Sequence, residues 1–200
     1  MDLTSVTPSP AGLKALSHPV RLQMLGLLRV DGPATATTMA GQVGINTGAA
    51  SYHLRQLAQH GFIEEAPERG NARDRWWQAT HQSTLAGNTA DTADERQTID
   101  AYLQSVAVVY TQNLQAAIEE RAGLTDAWRL ASTFSDYYLR LTPTKARALT
   151  QRMHEMLREV HESTIDVEPG EETDDGEDVA DFVVQFSAYP RPRQIALDPS

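Results

Sequence analysis

The chain has 200 residues, 40% of them apolar, and a formal net charge of −10, which allows one good-sized hydrophobic core or two small ones. It contains no cysteine, which excludes disulfides, thiolate metal sites and a cysteine nucleophile. No run of 18 or more apolar residues occurs, and the start MDLTSVTPSP has neither the basic nor the apolar region of a secretion signal, so a cytoplasmic protein without membrane contact is expected.

Pro8 and Pro10 lead into a short predicted helix, AGLKALS. The following HPVRLQMLGLLRVDG places Val20, Met24, Leu27 and Leu28 at the 3/4 spacing of an amphipathic helix. Pro19 suits its first turn, where a missing N–H costs nothing, and Asp31-Gly32-Pro33 stops it. TATTMAGQVG predicts a short third helix ending near Gly44. Asn46 or Thr47 caps a fourth, with Gly61 as the residue just past its end. FIEEA, PERGNARD and RWWQAT then read as strand, hairpin tip and returning strand. Adjacent tryptophans on one strand point to opposite faces, so Trp76 and Trp77 cannot share an environment.

A polar stretch of small residues, HQSTLAGNTADTAD, marks the expected boundary between residues 1–85 and a second region, 91–200. From Asp94 to Arg121, Ile99, Tyr102, Leu103, Val106, Val109, Tyr110, Leu114 and Ile118 keep a helical rhythm. A helix on the order of 40 Å long exceeds what a small domain needs and predicts a partner helix. AWRLASTFSDYYLRL alternates in two registers and is read as a strand with a bulge, helix being the competing reading. Thr142-Pro143 predicts an N-cap followed by proline at the first helical position, with Ala146, Leu149, Met153, Met156, Leu157 and Val160 as the buried face of a helix to about Ser163. Residues 166–181 hold nine acidic side chains and no basic one, as a solvated loop would. DFVVQFSAY alternates as a last strand. The fold class expected is mainly α with a small β component, α+β.

The charge is unevenly shared. Residues 1–80 carry seven Lys/Arg against six Asp/Glu, and residues 81–200 carry ten against 21. The net negative charge therefore opposes a polyanionic partner for the second half only. In the fourth helix, at ~100° per residue, Ala50, Leu54, Leu57 and Gly61 project within roughly 60° of each other. Gly48, Ser51, Tyr52, Arg55 and Gln59 lie about 150° away. One face is small and apolar; the other has hydroxyls, an amide and a guanidinium, without a carboxylate. That combination suits a DNA major groove, where Arg reaches guanine, Gln reaches adenine and hydroxyls reach bases or phosphates. Thr47 and Gly48 are small enough at the helix start for close approach to a duplex.

In ALSHPVRLQMLGLL, TATTMAGQVG, NTGAASYHLRQLAQHGFIEE and GNARDRWWQAT, residues 11–80 resemble the successive parts of the winged helix-turn-helix of ArsR-family bacterial transcriptional regulators. The most specific elements are L-S-H-P-x-R-L-x-x-L and S-Y-H-L-R-Q-L followed by G-F-I. The resemblance implies a homodimeric repressor that leaves its operator when an effector binds. It implies that Thr47, Gly48, Ser51, Tyr52 and Arg55 face the major groove, and that Arg69, Arg73 and Arg75 on the wing reach phosphate or the minor groove. It also implies dimerisation through the long helix, with the second region resembling the extension of larger members. Metal-sensing members use cysteines, or Asp and His on a terminal helix; this chain has no Cys and no His in 94–121, so no metal site or cofactor is expected. Aromatic content points to Trp128, Phe134, Tyr137 and Tyr138 as lining for an effector pocket.

The other histidines invite no chemistry. His18, before Pro19, reads as a cap or packing residue, and His53 and His60 lie off the proposed groove face. His154 and His161 are too far apart for an i, i+4 chelate. No phosphate loop, nucleophile elbow or H-E-x-x-H occurs, so an enzyme is not expected. The alternative function is a protein-binding adaptor whose winged helix contacts protein instead of DNA.

Overall fold

The computed structural model describes residues 4–69, 75–85, 90–163, 173 and 176–193. Packing groups residues up to Thr133 into one compact unit and those from Phe134 into another.

In the first unit, β1 (Ser5–Val6) precedes α1 (Pro10–Leu16) and α2 (Pro19–Val30). Next come β2 (Ala34–Thr35), α3 (Ala36–Val43) and α4 (Thr47–Gln59). β3 (Ile63–Glu65), a 3-10 turn at Pro67–Arg69, β4 (Trp76–Ala79) and β5 (Ser83–Thr84) follow, then α5 (Ala93–Glu120), a second 3-10 turn at Arg121–Gly123 and α6 (Asp126–Ala131). This is an α+β fold in which a small sheet closes off a helical cluster. The helix boundaries come from local chemistry. Ser9, Thr35, Asn46 and Thr92 each accept a backbone N–H in the first turn of α1, α3, α4 and α5. At α5 the Glu95 carboxylate reaches back to the Thr92 N–H, completing a capping box.

α4 ends at a glycine the geometry demands. Phe62 N–H donates to Leu57 O at 3.1 Å and Gly61 N–H to Ala58 O at 3.0 Å, the paired bonds of a Schellman turn, with Gly61 at φ +74°. Gly61→Ala is therefore expected to cost on the order of 1–2 kcal/mol. Gly26, inside α2 with nothing within 4 Å of an added Cβ, is expected to respond oppositely, Gly26→Ala stabilising by about 0.5–1 kcal/mol. Urea denaturation of the two variants checks both signs.

β4 is the central strand of an antiparallel sheet in the order β2-β4-β3. Ala34 pairs with Trp77, and Ile63 with Ala79. Trp77 is buried and Trp76 half-buried, as adjacent strand positions require. Neither β2 nor the parallel pair β1-β5 is signalled by the sequence pattern. Under the sheet, Leu16, Met24, Leu25, Met39, Leu54, Leu57 and Phe62 are fully buried and form one apolar cluster. Arg29 crosses the layers: its Nε donates to His81 O at 2.8 Å and its Nη2 to Thr84 Oγ1 at 2.9 Å. Burial brings this guanidinium down to about 10, so it stays charged at neutral pH while tying α2 to the strand beyond the sheet.

α5 packs on α1 and α2, burying Tyr102, Ser105 and Val109. Beyond Tyr110 the helix is exposed, and Leu103, Leu114 and Ile118 are each about half exposed. The boundary by packing thus follows α6, whereas composition changes at residues 81–94.

Three expectations for the second half are corrected. Residues 128–141 form no strand with a bulge. Thr125 accepts the N–H of Trp128 and starts α6 instead, after which residues 132–142 have no regular structure. Alternation alone does not hold a strand without a neighbour to pair with. The expected last strand at 182–188 has no regular structure either. Among the described residues of the second unit, α7 (Pro143–Glu162) is the only helix and no strand occurs. It begins as expected, with Thr142 accepting the Lys145 N–H and Pro143 in the first turn. Its apolar face, however, is only partly covered: Ala146, Leu149, Met153 and Leu157 are half-buried, and Met156 and Val160 are more than half exposed. Phe186 meets the His154 ring edge-on at 5.0 Å. The acidic segment 166–181 falls largely outside the described residues.

Candidate nucleic-acid interface

The two faces read from the α4 sequence are physically distinct. Ala50, Leu54 and Leu57 have no exposed surface. Thr47, Gly48, Tyr52, Arg55 and Gln59 are exposed, and Ser51 is half-buried between the two sets. The Asn46 side chain holds the Ala49 N–H at 2.9 Å, which fixes where the exposed face begins. Gly48 keeps that cap free of crowding, since a Cβ there would lie 3.3 Å from Asn46 Oδ1.

The wing supplies cations from a second direction. Arg75, at the start of the returning strand, lies 3.3 Å from the Glu65 carboxylate and has its guanidinium carbon 5.6 Å from the Trp77 ring centroid. Both partners of the ion pair are more than half exposed, so the pair contributes at most about 1 kcal/mol. A phosphate can therefore compete for Arg75 at small cost. Arg69 is exposed at the end of the 3-10 turn. Arg73 lies outside the described residues.

Ser51 and Arg55 of α4, Arg75 and Trp77 of the wing strand, and Thr35, Ala36 and Thr37 at the start of α3 line one open hollow of about 360 Å³. Two guanidinium groups and hydroxyls border it, and no carboxylate is among its lining residues. Arg55 makes no hydrogen bond or ion pair with any described residue, so its guanidinium is available. The hollow suits a phosphate or the edge of a base. Thr35 and Thr37 were missed in sequence. The signal present was the Thr-Ala-Thr-Thr run at a helix start, but only the β2-β4 pairing brings that run beside the wing.

Residues 16–66 match a helix-turn-helix domain. The matched segment holds α2, α3 and α4, the helices that carry the exposed face and one wall of the hollow. No curated protein matches the chain in sequence. Among solved structures the chain is similar to the apo form of a double mutant of Lactococcus lactis ZitR, at 14% identity and a TM-score of 0.32, over 70% of this chain and 83% of that one. That likeness is too loose to support a residue-level comparison. No helix among the described residues is long and apolar enough to cross a membrane, and these residues contain no group of three or more His, Cys, Asp or Glu arranged to hold a metal ion.

The aromatic residues expected around an effector fall on two stretches of the chain. Tyr137 and Tyr138 are 82% and 86% exposed, Phe134 is half exposed, and all three lie on the segment without regular structure. Trp128 is half-buried on α6.

Proposed function

We propose that the protein is a sequence-specific DNA-binding transcriptional regulator of the ArsR-like type, acting as a homodimer and repressing from a partly palindromic operator. The observation that carries this reading is the hollow shared by Ser51, Arg55, Arg75 and the start of α3, set beside an α4 whose opposite face is fully buried. In this reading α4 enters the major groove. Arg55 and Gln59 address base edges, Tyr52 and Ser51 address bases or backbone, and Thr47 and Gly48 allow the helix start to approach a phosphate. Arg69, Arg73 and Arg75 hold the backbone from the wing.

The dimer half of the proposal is supported by α5. Leu103, Ala107, Tyr110, Leu114 and Ala117 recur at steps of four and three residues, the spacing of a coiled-coil seam. This stripe is distinct from the one that Tyr102 and Val109 bury against α1 and α2. Pairing two copies along it would cover Leu103 and Leu114, which are now exposed, and would set two recognition helices roughly one helical turn of DNA apart.

Selection from a pool of random duplexes, followed by light scattering of the complex, tests both halves. Recovery of a related, partly palindromic site bound by two protomers is expected. Failure to enrich any sequence would favour an adaptor that binds protein, and one protomer per site would remove the dimer.

A further inference from the structure

Two histidines unused by this reading meet behind the groove-facing surface. His18 occupies the N-cap position of α2, yet its side chain makes no capping bond. Its ring instead lies 4.6 Å from that of His53 on α4, tilted by 49°. His53 in turn meets the ring of Tyr52, a groove-facing residue, edge-on at 5.4 Å. The Nδ1 atoms of both histidines are buried without a hydrogen-bond partner, and only at His18 does the residue's own backbone act in favour of a proton.

The surrounding charges oppose a proton. Arg21, one turn into α2, acts on both rings, and Tyr52 of α4 acts on Arg21. From α1 the cluster receives the main-chain carbonyls of Ala15 and Lys14, which accept from Arg21, while the Lys14 side chain is exposed. No carboxylate acts on either imidazole. Two imidazoles without a third donor, beside a guanidinium, make a poor metal site. The proton is the ligand that fits.

We propose that His18 and His53 form a proton-operated latch between the start of α2 and the recognition helix. Uncharged, the tilted rings pack against each other and seat α4 against α2. Charged, they repel each other and Arg21, α4 loses its seat, and the grip on DNA loosens. The last consequence rests on the DNA-binding reading; the latch itself does not. Both rings lie below the ordinary histidine value of 6.5, burial being the first cause at each: at His18 Arg21 adds to it while the residue's own backbone pulls the other way, and at His53 the His18 imidazole and then Arg21 add to it. The unfolded chain thus takes up these protons more readily than the folded one. The stabilisation is complete above about pH 6.5 and is lost as pH falls through the depressed folded values. Protonation of one ring also hinders that of the other, so the two titrations are coupled.

The test is an NMR titration of the imidazoles in the full chain without DNA, with His18→Gln and His53→Gln for assignment. Both midpoints are expected below 6.5, and each single substitution should move the surviving ring upward by on the order of half a pH unit. The melting temperature of wild type should fall from pH 7.5 to 5.5 by more than that of His18→Gln/His53→Gln. Ordinary, independent midpoints would overturn the latch, and displacement of both titrations by micromolar zinc would replace the proton by a metal. Specific DNA affinity should fall several-fold over the same pH range in wild type alone. An equal pH response in the double variant would overturn the coupling to DNA. Absence of specific binding at pH 7.5 would overturn the functional reading, while the titration still decides the latch.

Discussion

Arg55→Ala is expected to weaken binding to the selected duplex by about 1–3 kcal/mol, a loss of roughly 5- to 150-fold, with no change in the stability of the protein. The two halves of that expectation have separate causes. Arg55 is exposed and bonds to no described residue, so its removal leaves no buried group unsatisfied. Its position on the hollow between α4 and the wing strand puts the guanidinium where it can bridge two acceptors of one base, a geometry alanine cannot replace. Fluorescence anisotropy with the selected and a random duplex distinguishes base from backbone. A loss confined to the selected duplex identifies a base contact. An equal loss on both makes Arg55 a phosphate contact and shifts sequence reading to Gln59, Tyr52 and Ser51.

Phe62→Ala is expected to destabilise the first unit by about 3–5 kcal/mol and to lower its Tm by on the order of 10 °C or more. Phe62 is 2% exposed and sits where three elements meet. Its N–H closes the end of α4, its carbonyl accepts the Thr80 N–H at 3.1 Å, and a Cβ added at Gly12 of α1 would lie 3.3 Å from its ring tip. Alanine keeps the main-chain bonds but leaves a ring-sized void between α1 and the α4 turn. Because small domains hold only about 5–15 kcal/mol in total, the variant should be marginal at physiological temperature. Calorimetry of the full chain gives the result, and a loss below about 1 kcal/mol would mean that α1 closes onto the void.

The first eighty residues are legible because their signals are local. Pro19 at a helix start, Asn46 as a cap, Gly61 beyond a helix end and the 3.6-residue rhythm between them act within a few residues. The exposed face of α4 follows directly from that rhythm. β2 and the β1-β5 pair are not legible, since each strand has two residues and two residues carry no periodicity. The hollow is half legible for the same reason. Ser51, Arg55 and Arg75 are expected at the interface, but Thr35 and Thr37 join them only through long-range pairing.

In the second half the sequence patterns outrun the packing. The alternation around Trp128 and Phe134 yields to the Thr125 cap, whose single side-chain bond decides the local conformation. The alternation at Phe182, Val184 and Phe186 has no neighbouring strand to pair with among the described residues. α7 runs from its Thr142 cap to Ser163 as its sequence predicts, yet its apolar face is only partly covered, because amphipathicity states which face would be covered and not by what.

The central claim is that the α4 face and the wing bind the DNA backbone and bases together, and the salt dependence of that binding tests it most directly. Each phosphate held by an arginine releases counterions, so a dimer using Arg69 and Arg75 from each protomer should give a slope of log K against log salt of about −4 or steeper. That slope is predicted for the selected duplex, and a shallower one for Arg69→Ala/Arg75→Ala. A slope near zero, or one unchanged in that variant, would contradict the claim.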